Sequence, residues 1–223
     1  MDNTAKKPRK GLIALITIAI IIAFIAVAII LTNASSPYND GTFVYTPLED
    51  KTYSVALKDK TVTEIEIPTK DKDYKKPITV VTGFNSETLK TVTIPEGIVK
   101  IESNAFSGCT ALKEIEIPET VKRIGGHAFE DCTSLSKVTL QYGLEYIGEY
   151  AFGGCTELLK IHIPETVTQF SGRAFQDCVN LTEIVYDGTM AQVEEMNIDW
   201  NWPEDLQVQT IICCDGAYHI EKN

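Results

Sequence analysis

The stretch "GGHAFEDCTSLSKVTL", Gly125 to Leu140, decides the fold. Its Ala-Phe-x-x-Cys core occurs four times. Phe106, Phe129, Phe152 and Phe175 lie 23 residues apart, and Ala105, Ala128, Ala151 and Ala174 keep the same interval, as do Cys109, Cys132, Cys155 and Cys178. Leu89, Leu112, Leu135, Leu158 and Leu181 extend the series by one copy toward the N-terminus. A fixed period sustained over this many copies is the signature of a repeat architecture.

Each copy reads L-x-x-I-x-I-P, then V-x-x-I-G, then A-F-x-x-C. The first part, as in "LKEIEIP" from Leu112, alternates apolar and polar residues and predicts a short strand. Pro95, Pro118, Gln141 and Pro164 close it. The second part, "VKRIG" from Val121, predicts a shorter strand ended by glycine. One copy cannot bury its apolar edge alone. Stacked in register, the copies form a mainly β solenoid with a parallel sheet and ~4.8 Å between turns. Stacking sets each phenylalanine above the last in the widest part of the interior. It leaves each cysteine as a small buried hydrophobe.

Four cysteines in a straight ladder do not surround a point, so they cannot give zinc its tetrahedral shell. Equivalent Cα atoms ~5 Å apart fall within disulfide range, but parallel Cβ vectors disfavour the bond. Free, buried, inert thiols are expected. Cys213 and Cys214 are adjacent, so on a strand they point to opposite faces and at least one is exposed.

"LKEIEIPETVKRIGGHAFEDCTSLSKV" resembles the BspA-like leucine-rich repeat of microbial surface proteins, over about Val62 to Asp187. The third full copy departs at Gln141, and the fourth has Phe170-Ser171 in place of Ile-Gly. The resemblance implies a leucine-rich-repeat solenoid, secreted or anchored, that binds or adheres. It names no ligand.

"LIALITIAIIIAFIAVAIIL", Leu12 to Leu31, is twenty residues without a charge. At ~1.5 Å per residue it matches the ~30 Å hydrocarbon core of a bilayer. Lys6, Lys7, Arg9 and Lys10 precede it, so the N-terminus is expected in the cytoplasm and the repeats outside a bacterial cell. Cleavage after Ala34 is the competing reading, although secretory apolar regions usually run about 7–15 residues. The expected organisation is a basic N-terminus (1–11), one transmembrane helix (12–31), a linker (32–41), an N-terminal cap (42–60), the solenoid (61–187) and a C-terminal cap (188–223). In the caps, "TFVYTPLEDKTYSVAL" predicts two strands around a turn. Thr189 predicts a helix N-cap, Trp200 and Trp202 a cover for the open core, and "LQVQTIICC" a last strand. Phe84 is expected to take the repeat position in the irregular first turn.

Beyond Leu31 the chain carries 16 Lys+Arg against 30 Asp+Glu, a net −14. That balance argues against nucleic acid or anionic lipid as a ligand. His127, His162 and His219 share no spacing, and no nucleophile–base order or phosphate loop occurs, so neither catalysis nor a cofactor is expected. "DKDYK" at Asp71 has a trace of calcium-loop spacing, but lysine stands where the third ligand belongs and no glycine follows.

The outer wall of the strands remains. Alternation predicts one column of Glu64, Thr91, Glu114, Lys137, Lys160 and Glu183, and another of Glu66, Thr93, Glu116, Thr139, His162 and Val185. Repeat proteins bind on such extended faces; the bland reading is that these residues keep the sheet soluble. A ten-residue linker reaches ~17 Å, and about seven turns add ~35 Å. A partner near the membrane, an envelope protein or wall polymer, is therefore expected. A host-directed adhesin and a self-associating envelope component are the alternatives.

Overall fold

The computed structural model describes residues 37–196 and 207–220. The anchor expected at Leu12 to Leu31, and Trp200 and Trp202, lie outside these residues. Among the described residues no helix is long and apolar enough to cross a membrane.

The chain opens with β1 (Tyr38–Asn39), β2 (Phe43–Pro47) and β3 (Tyr53–Leu57). The first irregular turn holds β4 (Glu64–Glu66) and β5 (Ile78–Val81). Four regular turns follow, each with a face strand and a two-residue strand. They are β6 (Thr91–Thr93) with β7 (Lys100–Ile101), β8 (Glu114–Ile117) with β9 (Arg123–Ile124), β10 (Lys137–Leu140) with β11 (Tyr146–Ile147), and β12 (Lys160–Ile163) with β13 (Gln169–Phe170). The last face strand is β14 (Glu183–Tyr186), followed by helix α1 (Met190–Glu195), β15 (Thr210–Cys213) and β16 (Gly216–His219).

The repeat phenylalanines stack down the interior. Ring centroids of Phe106, Phe129, Phe152 and Phe175 are 5.1, 5.3 and 5.9 Å apart, with planes within 10°. Phe84 extends the column at 5.3 Å and Phe43 of the N-terminal hairpin closes it at 6.2 Å. The four repeat rings are fully buried. The cysteines beside them form no disulfide. They are more than fillers: each thiol donates to the phenylalanine carbonyl of the preceding turn, Cys132 Sγ to Phe106 at 3.2 Å and Cys155 Sγ to Phe129 at 3.3 Å. The Phe106, Phe129 and Phe152 carbonyls also accept the cysteine N–H of their own turn.

The expectation of one parallel sheet needs correction. The continuous ladder belongs to the short strands: β1, β2, β3, β5, β7, β9, β11 and β13 form one eight-stranded sheet. The face strands ladder only in pairs, β4 with β6 and β8 with β10, while β12 joins β14, β15 and β16. β6 lies beside β8, and β10 beside β12, without backbone bonds across those two seams. Alternation shows which side chains point outward but carries no information on which neighbours ladder.

At the N-terminal end, β1 pairs with β2, so the sheet begins inside the stretch read as linker. At the other end Thr189 caps α1 through a reciprocal box with Gln192. Val193 and Met196 turn into the core. Tyr186 takes the place of the repeat isoleucine, and its hydroxyl donates to the Glu165 carbonyl at 3.2 Å.

Phe129→Ala removes a ring from mid-column and should cost about 3–5 kcal/mol, read by urea unfolding. In the native protein one thiol, Cys214, should label quickly, and the other five, all buried, only on unfolding. Burial pushes the Cys155 thiol well above its ordinary pKa, so thiolate is withheld and raising the pH to the usual thiol range should not speed its labelling. Mass spectrometry of maleimide adducts reads both.

Candidate functional site

The register places both predicted columns as rows of neighbours. Glu64 lies opposite Thr91, Glu114 opposite Lys137, and Lys160 opposite Glu183. In the second column Glu66 faces Thr93, Glu116 faces Thr139, and His162 faces Val185. Most of these side chains are exposed, while Thr139, Glu183 and Val185 are half-buried. The apolar residues between them, Val92, Ile115, Val138, Ile161 and Ile184, point inward and are buried, which fixes the outward direction of the columns.

A groove of about 460 Å³ opens on this face over the seam between β6 and β8. Thr91, Thr93, Glu114, Glu116, Lys137 and Thr139 line it, six of the predicted residues. Glu64 and Glu66 flank it on β4, and Lys160, His162 and Glu183 lie beyond it on β12 and β14. Glu96 also lines it, as does Pro118. Strand alternation missed Glu96 because it follows the strand. The signal was present nonetheless: Ile-Pro-Glu recurs at 94–96, 117–119 and 163–165.

Charge is graded along the face. Lys137 Nζ stands 3.8 Å from Glu114, with both side chains about two-thirds exposed, a pair worth ~0–1 kcal/mol. Lys160 pairs with Glu183, and His162 Nδ1 lies 3.8 Å from Asp187. Gln141 Nε2 donates to Glu116 at 2.9 Å. Among the described residues no cation pairs with Glu64, Glu66 or Glu96. The end of the face around the groove is thus acidic, and the far end carries the Lys160–Glu183 ion pair.

Other sequence candidates resolve structurally. Asp71 of "DKDYK" is fully buried and accepts from the Tyr38 hydroxyl at 2.5 Å, the Tyr74 N–H at 2.6 Å and the Lys76 N–H. It pins the long first turn against β1. Burial, then this carboxylate, pushes the Tyr38 phenol far above its ordinary pKa. Among the described residues no three His, Cys, Asp or Glu are placed to hold a metal ion.

A model of the BspA type leucine-rich repeat region matches residues 82–198 in six copies. The chain belongs to this family. Among solved structures it is similar to the T. pallidum leucine-rich repeat protein, with 27% identity and a TM-score of 0.62 over 66% of this chain and 70% of that one. The pneumococcal vaccine antigen PcpA shares the fold at 22% identity and a TM-score of 0.53, covering 71% of this chain and 51% of that antigen. A search of curated proteins gives no match.

Asp71→Ala leaves a half-buried tyrosine hydroxyl and two N–H groups without their acceptor. It should cost about 2–3 kcal/mol and free the N-terminal hairpin first, seen as early loss of amide protection in β1 to β3.

Proposed function

We propose that the chain is a membrane-anchored binding module on the outer face of a bacterial cell, and that it holds its partner in the groove over β6, β8 and β10. The observation that supports this most is the coincidence of a concave site with the unpaired end of the face. The groove gathers Thr91, Thr93, Glu96, Glu114 and Glu116, with Lys137 as its one lining cation. Such a surface favours a cationic, hydrogen-bonding partner: an amine-bearing segment of an envelope protein or wall polymer. The apolar run from Leu12 to Leu31 supplies the anchor, and the short stretch after it holds the module near the membrane. Membership of a leucine-rich-repeat family supports a binding role over a catalytic one.

Photocrosslinking in intact cells tests this. A probe at position 139 should capture a partner, and a probe at position 146 on the other sheet should not. Combining Glu96→Gln, Glu114→Gln and Glu116→Gln keeps the shape, removes the charge and should lower capture ~10-fold or more. Equal capture by the triple variant, or capture from position 146 alone, would sink the proposal. The captured species also separates an envelope partner from a host one.

A further inference from the structure

The interior repeats every 23 residues, but the face strands repeat every 46. "VTIPEGI" at Val92–Ile98 returns as "VTLQYGL" at Val138–Leu144, and "IEIPETV" at Ile115–Val121 returns as "IHIPETV" at Ile161–Val167. Gly97 and Gly143 have φ of +99° and +129°. A Cβ on Gly143 would also overlap the Glu119 carbonyl oxygen, so only glycine fits there. In each following turn a threonine hydroxyl is used twice. Thr120 accepts from the Gly97 N–H at 3.0 Å and donates to the Ile98 carbonyl at 2.8 Å. Thr166 does the same with Gly143 at 3.1 Å and Leu144 at 2.8 Å.

Both staples cross the seams where the face ladder is missing, β6 to β8 and β10 to β12. Across the laddered interfaces the pattern differs: Ser136 and Thr182 donate to the Lys113 and Leu159 carbonyls, each at 3.3 Å, at the start of the strands. The face is therefore built from two-turn blocks, each laddered within and joined to the next by a side-chain clip.

Parallel pairing directs the backbone groups of alternate residues to one neighbour. Thr91 and Thr93 bond toward β4, through the Thr63 carbonyl and the Ile67 N–H. The N–H groups of Val92 and Ile94 therefore face the first seam. The Lys113 and Ile117 carbonyls go to β10, so the N–H groups of Glu114 and Glu116 face the same seam from its other side. Among the described residues no bond joins them.

The other two sides of the coil stay bonded across the same interfaces. β7 pairs with β9 and β11 with β13. The Phe106 N–H bonds to the Ala128 carbonyl at 2.7 Å, and the Phe152 N–H to Ala174 at 2.8 Å. An interface held on two sides and clipped on the third opens like a hinge. Opening the first seam breaks one clip, and opening the second breaks one clip and the Thr156 hydroxyl's bond to the Thr133 carbonyl, whereas opening a block breaks a ladder.

We infer that the binding face is articulated: its two-turn blocks rotate apart at the seams about the short-strand sheet, so that the groove over the first seam changes width to admit and grip an extended segment. The test needs no partner, so its failure leaves the proposed binding role standing. In the full chain in detergent, the amides of Val92, Ile94, Glu114 and Glu116 should exchange ~100-fold faster than those of Ile115 and Ile117. Nitroxide pairs in a Cys214→Ser background then separate motion from a fixed gap. Labels at 93 and 116 span the seam, and labels at 116 and 139 lie within a block. The seam pair should show the broader distance distribution, and Thr120→Val should broaden that pair alone. Equal protection on both sides of β8 overturns the inference. So do equally narrow distributions, which would mean a static gap.

Discussion

The stacking of phenylalanine rings at 5.1–5.9 Å sets the terms for the rest of the molecule. This spacing lies close to the ~4.8 Å separation of neighbouring strands. A turn can therefore satisfy ring contact and backbone bonding together only if its path brings the ring back over the one below. The period of 23 residues follows from that requirement. Where the path is longer, as from Glu64 to its partner Thr91, the excess must leave the stack. It does so between Ile67 and Ile78, and the buried Asp71 carboxylate ties the excursion down. Phe84 then rejoins the column.

The cysteine column follows from the same geometry. Each phenylalanine carbonyl points along the stack and has two lone pairs to satisfy in a water-free interior. The cysteine N–H of its own turn takes one and the thiol of the next turn takes the other, as at Phe106 with Cys109 and Cys132. Alanine would leave the second lone pair idle. Serine would donate more strongly but would bring a hydroxyl whose removal from water is costly. The thiol is a weak donor on a soft, apolar atom, which suits a site in need of both. The recurrence of cysteine in a chain without disulfides is thus a matter of packing and bonding.

Much of this was legible in the sequence. Phe106 to Phe175, the four cysteines at the same interval and the alternation in "LKEIEIP" fix the coil, its interior and the outward columns. Three things were hidden for identifiable reasons. Two-residue strands such as Arg123–Ile124 are too short to carry a periodic signal, so nothing in the sequence marks their sheet as the continuous one. The seams follow a 46-residue period written in residues of small side chain, Gly97 and Thr120 and their counterparts, which a search keyed to large apolar residues passes over. Asp71 was obscure for another reason. A carboxylate that serves backbone N–H groups and one that serves a ligand look alike in sequence, and only burial separates them.

The two faces of the coil also differ in how their charge is spent. On the short-strand side cations and anions are matched: Lys100 with Glu102 at 2.7 Å, Arg173 with Glu149 at 3.5 Å, and Lys122 with Glu145 at 3.9 Å. Its aromatic rings are occupied too, Arg123 lying 4.1 Å from the Tyr146 ring centre and His127 stacking on Tyr150 at 5.0 Å. A partner arriving there must displace contacts already made, so little free energy is left for recognition. Around the groove, among the described residues, Glu64, Glu66 and Glu96 pair with no cation. Continuous ladders, matched charges and stacked rings make one side the spine. Interrupted ladders and carboxylates without a cationic neighbour set the other side apart from it.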